Sequence, residues 1–207
     1  DLSAEFVRPV RWLVVMIGTE VVPIELFGCT ASNQSQGHRF MGKGAFEIRS
    51  PLEYTSQLAE HFVVADRVDR QKMIWSALMA KAESLGGAIP ENNALLDEVT
   101  ALVEWPAVLA GHFDERFLRV PSEVLVSAMR EHQRYFHLID EAGQLLPVFL
   151  TVANIDSPKP EMVIKGNERV ITPRLADAEF FYDRDLKQTS TEWLESLKEV
   201  TYQAELG

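Results

Sequence analysis

The chain has 207 residues, of which 46% are hydrophobic and 25% charged, which suits a folded domain with its own core and excludes wholesale disorder. Its one cysteine, Cys29, excludes an internal disulfide framework and a multi-cysteine metal site. The net charge of −11 opposes binding to nucleic acid or anionic lipid taken over the whole chain, although a partner within about 8–10 Å feels local patches first.

Arg11–Ile17 and Val21–Phe27 read as the two arms of one hairpin about a Gly18-Thr19-Glu20 turn, with Pro23 marking an edge or bulge. A polar loop is expected over Ser32–Gly37, then a strand around Ala45–Arg49. Pro51 opens a predicted helix to His61, and Val63–Ala65 reads as a short strand. Asp66 caps a helix whose Ile74, Leu78, Ala82 and Leu85 share one face before Gly86-Gly87. Leu95, Val99 and Leu102 mark another helix, ended by Trp105-Pro106, and Val108–Val120 is expected to be extended. Pro121 opens a helix through Leu125, Met129 and His132. Tyr135–Ala153 reads as a second hairpin with its turn at Asp140–Gly143. Pro173 is expected to open a helix through Leu175, Ala178 and Phe181, and Thr189 with Glu192 reads as a capping box for a last one. Strands and helices mix without a strict βαβ rhythm, so the expected fold is α+β, a mixed or antiparallel sheet with helices packed on it.

Chemistry is sparse. There is no phosphate-binding loop, dinucleotide fingerprint, nucleophile elbow or paired-histidine zinc motif. No catalytic residue and no metal site is expected, and no cofactor is assigned to this chain. The N-terminal residues Asp1–Phe6 lack the basic and apolar regions of a secretory leader. Together with the lone cysteine this suggests a cytoplasmic protein with no membrane contact. The absence of an initiator Met suggests a piece of something longer.

Charge is uneven. Leu85–Trp105 holds four acids and no Lys or Arg, whereas Arg116–His137 holds four arginines against two glutamates. Three segments mix cations with amides or aromatic rings: Gly37–Phe40, Met129–Phe136 and Lys165–Val170. Arginine forks match phosphate oxygens and aromatic faces stack on bases, so such mixtures suit single-stranded or terminal RNA. Candidate RNA-contacting residues are His38, Arg39, Arg130, Gln133, Arg134, Asn167, Arg169 and Arg174. The competing reading pairs these arginines with neighbouring carboxylates such as Glu131, Glu168 or Asp177. The acidic segment Glu91–Glu104 is expected to stay away from RNA.

Ordered motifs carry a resemblance. They run from Phe6-Val7-Arg8-Pro9-Val10, Gly37-His38-Arg39-Phe40-Met41-Gly42 and Leu102–Leu109 through Phe117-Leu118-Arg119-Val120-Pro121 to Gln133-Arg134-Tyr135-Phe136. They continue through Leu145–Phe149, Val152-Ala153-Asn154-Ile155, Gly166-Asn167-Glu168-Arg169-Val170 and Pro173–Phe181. In this order they resemble the beta subunit of the bacterial-type heterotetrameric glycyl-tRNA synthetase over essentially the whole chain. The resemblance implies an internal slice of a longer subunit, lacking an N-terminal segment, an HD-type domain and an anticodon-binding domain. It implies a fold similar to the tRNA-editing-type domain of the phenylalanyl-tRNA synthetase beta subunit, over residues 1–188. Residues 189–207 would be a helical arm leading toward the HD-type domain. It further implies tRNA(Gly) and an alpha subunit as partners, with ATP used by that alpha subunit. On this reading the chain is a non-catalytic tRNA-contacting and assembly module. A hydrolytic module acting on aminoacyl-tRNA esters and a pure protein scaffold are the alternatives.

Overall fold

The computed structural model describes residues 10–198, 200 and 201, so Phe6–Pro9 of the first motif and the end of the expected arm lie outside the described residues. The first part is built from short strands: β1 (Leu13–Val14), β2 (Met16–Ile17), β3 (Glu20–Val21), β4 (Glu25–Leu26), β5 (Cys29–Ser32), β6 (Gln34–Gln36) and β7 (Ala45–Glu47). Instead of one long hairpin there are two tight ones. β2 pairs β3 with Ile17 opposite Glu20, and β4 pairs β5 with Leu26 opposite Cys29. Phe27 and Gly28 between them both take positive φ, 54° and 73°, as a two-residue hairpin turn requires. Pro23 explains the division, because it has no N–H to continue the returning strand. β1 meets β5 in parallel. The expected polar loop at 32–37 is itself partly strand: β6 pairs β7, and Ser35 is buried.

A short 3₁₀ turn at Pro51–Glu53, capped by Ser50, leads into α1 (Tyr54–Glu60). Val63–Ala65 is not a strand; Val64 donates one N–H to the Glu104 carbonyl at 2.9 Å. Asp66 caps α2 (Arg67–Ser84) by accepting from the Asp69 N–H at 2.9 Å. Ile74, Leu78 and Ala82 are buried along it, and Gly86 and Gly87 close it by donating to Glu83 and Ala82. Asn92 caps α3 (Asn93–Leu102).

The extended segment expected over Val108–Val120 is shorter than that. β8 (Ala107–His112) gives way to a 3₁₀ helix at Glu115–Arg119, because Asp114 caps it and Phe117 turns into the core with no exposure. Then come α4 (Ser122–Gln133), β9 (Phe136–Ile139), β10 (Leu145–Ala153), α5 (Pro160–Asp185) and α6 (Ser190–Leu197). Thr189 and Glu192 form the expected capping box on α6. The architecture is α+β, with several small sheets and six α-helices among the described residues.

β10 is the centre of an antiparallel sheet ordered β8-β10-β9. Its consecutive residues Val148, Phe149 and Leu150 are all buried, because both faces of the sheet are covered. Val148 and Leu150 join Ile74, Leu78, Leu96, Val99, Phe136 and Leu138 in one core. Phe149 joins Phe117, Leu125, Met129, Tyr135, Ile171 and Leu175 in the other.

Pro173 does not open a helix. It stands inside α5, which starts instead at Pro160 in its first turn. An interior proline removes one backbone hydrogen bond and costs about 3 kcal/mol in an isolated helix. Here both Pro173 and Arg169, whose carbonyl loses its donor, are exposed to water, while Ile171 and Leu175 on either side are fully buried.

Arg119 clamps the 3₁₀ helix to α5. Its Nε donates to Glu179 Oε1 at 2.9 Å, and its two Nη atoms donate to Asp183 at 2.8 and 2.7 Å. The guanidinium holds the Asp183 carboxyl below its ordinary range. A carboxyl depressed in the folded state contributes stability above its unfolded value and loses it as pH falls through the folded one. Melting temperature measured from about pH 5 down toward pH 2 should therefore fall more steeply for the natural chain than for Arg119→Leu. Parallel curves would show the clamp to be idle.

Candidate nucleic-acid interface

The eight candidate residues fall in three places. His38 opens the loop between β6 and β7 but is turned inward, with 2% of its surface exposed. Its Nε2 donates to the Asn154 carbonyl at 2.6 Å, and its Nδ1 accepts from the Phe40 and Met41 N–H groups, both at 3.3 Å. Both ring nitrogens are thereby occupied inside the fold, and the histidine acts as an anchor. Asn154 extends the anchorage, since its Oδ1 accepts from the Glu104 and Trp105 N–H groups at 2.6 and 3.0 Å. Arg39, the next residue, is exposed.

The second place is the end of α4. Arg134 adopts φ 56° to turn the chain from α4 into β9, and its N–H closes on the Arg130 carbonyl. Its side chain donates to Glu98 Oε1 at 2.8 Å, while Arg130 donates to Glu131 Oε1 at 2.8 Å. These four groups line a cleft of about 330 Å³ together with Asn92 and Leu95 of the α3 segment. Glu98 of the acidic stretch, which was expected to stay away from RNA, thus meets Arg134 of the arginine-rich stretch at one surface, while Arg130 is offset by Glu131 of its own helix. Gln133 lies beside them, half-buried. His137 on β9 is held below the usual histidine range by burial and by the charge of Arg130.

The third place is α5. Asn167 faces inward: its Oδ1 accepts from the Tyr135 hydroxyl at 2.6 Å and its Nδ2 donates to the Val163 carbonyl at 2.8 Å. Burial pushes the Tyr135 phenol up to about 12. Arg169 and Arg174 are exposed and have no ion pair with any described residue. Arg174 borders a groove of about 650 Å³ between α4 and α5, shared with His132, Asp177 and Phe181. Lys165, four residues before Arg169, is exposed on the same side of the helix, a pairing hidden from a reading that starts the helix at Pro173. Among the described residues no three His, Cys, Asp or Glu side chains gather as a metal site would need, and no helix is long and apolar enough to cross a membrane.

The arrangement is one of exposed cations on the β6–β7 loop and on α5, a charge-paired corner at the end of α4, and inward-facing polar clips at His38 and Asn167. A family model described as glycyl-tRNA synthetase beta subunit matches residues 1–207. The chain belongs to that family. It is 43% identical over 207 residues to the glycine–tRNA ligase beta subunit of Moorella thermoacetica, covering 100% of this chain and 30% of that protein. It is 47% identical over 206 residues to the beta subunit of Shewanella woodyi, covering 99% of this chain and 30% of the relative. The Listeria monocytogenes beta subunit is 44% identical over 202 residues, with 98% and 29% covered. The chain therefore spans about 30% of the length of these glycyl-tRNA synthetase beta subunits.

Proposed function

We propose that this chain is a tRNA-contacting and assembly module of a glycine–tRNA ligase beta subunit, without catalytic residues of its own. It supports aminoacylation of tRNA(Gly), with ATP consumed on a separate alpha subunit in a cytoplasmic heterotetramer. The observation that carries this reading is the family match along the entire chain. On the same reading residues 1–188 form one domain related to the editing-type domain of the phenylalanyl-tRNA synthetase beta subunit. Residues 189–207 form an arm. The exposure of α6, which has no buried residue, supports the division.

The geometry shifts the weight among the candidate contacts. Arg130 and Arg134 already meet two carboxylates, so two positive charges are offset by two negative ones at that corner. His38 and Asn167 serve the fold. Of the cations in the three mixed segments and the start of the motif after them, Lys165, Arg169 and Arg174 have no ion-pair partner among the described residues and are better phosphate ligands than Arg130 and Arg134, with Arg39 as a separate point.

Filter binding of tRNA to the complete beta subunit across a salt series tests this. Arg169→Ala with Arg174→Ala should reduce the magnitude of the salt slope by about 0.7–0.9 for each phosphate no longer neutralised. Arg130→Ala with Arg134→Ala should instead lower the melting temperature and leave the slope unchanged. An unchanged slope in the folded Arg169/Arg174 variant defeats the assignment, and hydrolysis of a mischarged tRNA by the 207-residue chain alone defeats the non-catalytic reading.

A further inference from the structure

The loop from Gly37 to Gly44 is held at several points. His38 donates its backbone N–H to the His61 carbonyl at 2.9 Å, Gly42 donates to the His38 carbonyl at 2.7 Å, and the His38 ring clips the loop to Asn154. The Asp156 N–H meets Met41 Sδ at 3.3 Å. Gly42 allows this tight path, because a Cβ there would lie 2.6 Å from the His38 carbonyl oxygen. Between these anchors the tip points outward. Phe40 is 77% exposed, and the Arg39 guanidinium carbon lies 5.8 Å from the centre of its ring.

A phenyl ring left in water gains almost nothing from folding, since apolar burial is what stabilises it. Its value must come from whatever covers it. The surroundings narrow the chemistry. From Gly37 to Phe46 there is no acid, while Arg39 and Lys43 supply two cations in a chain of net charge −11. The turn after β10 adds one acid and one base, Asp156 and Lys159. A firmly held aromatic ring with one cation beside it and a second three residues further along the loop matches a ligand that has both a π face and negative charge.

We propose that Phe40 is a stacking platform for an unpaired nucleotide of the bound RNA, with Arg39 and Lys43 meeting the adjacent phosphates. The proposal deepens the RNA-contact reading above and rests on it. An unpaired nucleotide is required because bases inside an A-form helix are stacked on their neighbours and offer no free face to a ring on a loop tip. Holding the loop in advance lowers the ordering cost of binding, and every base has a face that a phenyl ring can cover.

The test uses the complete beta subunit and two RNA hairpins of one sequence, one with a single-stranded tail and one blunt. The tail carries a fluorescent purine analogue whose emission is quenched by stacking. Phe40→Leu keeps most of the apolar bulk but removes the π face, and it should weaken binding of the tailed hairpin about 5- to 100-fold and abolish the quenching. Phe40→Tyr should bind both RNAs within about twofold of the natural protein, and the blunt hairpin should not distinguish any of the three. A ring this exposed should leave the melting temperature unchanged in both variants. Unaltered tailed-hairpin binding by Phe40→Leu, or an equal loss on both hairpins, overturns the stacking proposal while leaving RNA contact standing. Failure of the natural subunit to bind either RNA overturns both.

Discussion

Replacing Gly111 by alanine should destabilise the fold by about 2–3 kcal/mol, read as a lower denaturant midpoint. Gly111 on β8 stands opposite Phe149 on β10, and an added Cβ would lie 2.3 Å from the tip of that ring. The ring has nowhere to go. It is fully buried and stacked on Tyr135 with centroids 4.4 Å apart and planes 13° from parallel. Relief requires either displacing the aromatic pair or spreading the strands, and both disturb a close-packed interior. Shortening the partner should remove much of the conflict, so Gly111→Ala should cost clearly less in a Phe149→Leu background than in the natural chain. Equal costs in the two backgrounds would place the damage somewhere other than this contact.

His38→Ala should cost about 3 kcal/mol, because three backbone groups lose their partner at once. The Asn154 carbonyl and the N–H groups of Phe40 and Met41 all depend on that ring. His38→Asn places an acceptor near the former Nδ1 while leaving the Asn154 carbonyl without its donor, and should recover about half of the loss. Denaturant titration gives the energies, and limited proteolysis between Arg39 and Gly44 reports on the loop itself. A His38→Ala protein as stable and as resistant as the natural chain would show the anchor to be dispensable.

Local signals were the most legible in the sequence. The caps at Asp66 and at Thr189 with Glu192, the glycine pair ending α2, and the Tyr135–Ala153 hairpin all depend on residues a few positions apart. The sequence misleads where a local rule meets a tertiary one. Pro173 reads as a helix start, yet Ile171 and Leu175 are buried together and carry α5 through it. The N-terminal strands are two to four residues long, too short for alternation of apolar side chains to declare their pairing. The candidate interface was legible as a set of residue types but not as a surface. Arg134 meets Glu98 across 36 positions and His38 meets Asn154 across 116, and neither partnership leaves a trace in the neighbouring sequence. Phe40 was part of a motif, but only its exposure singles it out.

The two-sided burial of β10 bears on the order in which the chain can assemble. β9 and β10 are joined by a short turn, so their pairing closes a small loop. Val148 meets His112 only after the whole of α4 and β9 has been looped out, and α5 can cover the Phe149 side only once β10 exists to receive it. The hairpin is thus the natural seed, and β8 joins it later at a greater entropic cost. Because neighbouring residues of one strand face opposite layers, neither layer reaches its final packing while the other is open. An arrested half-structure would leave a row of large apolar side chains in water, which makes late assembly of this region the stage most exposed to aggregation.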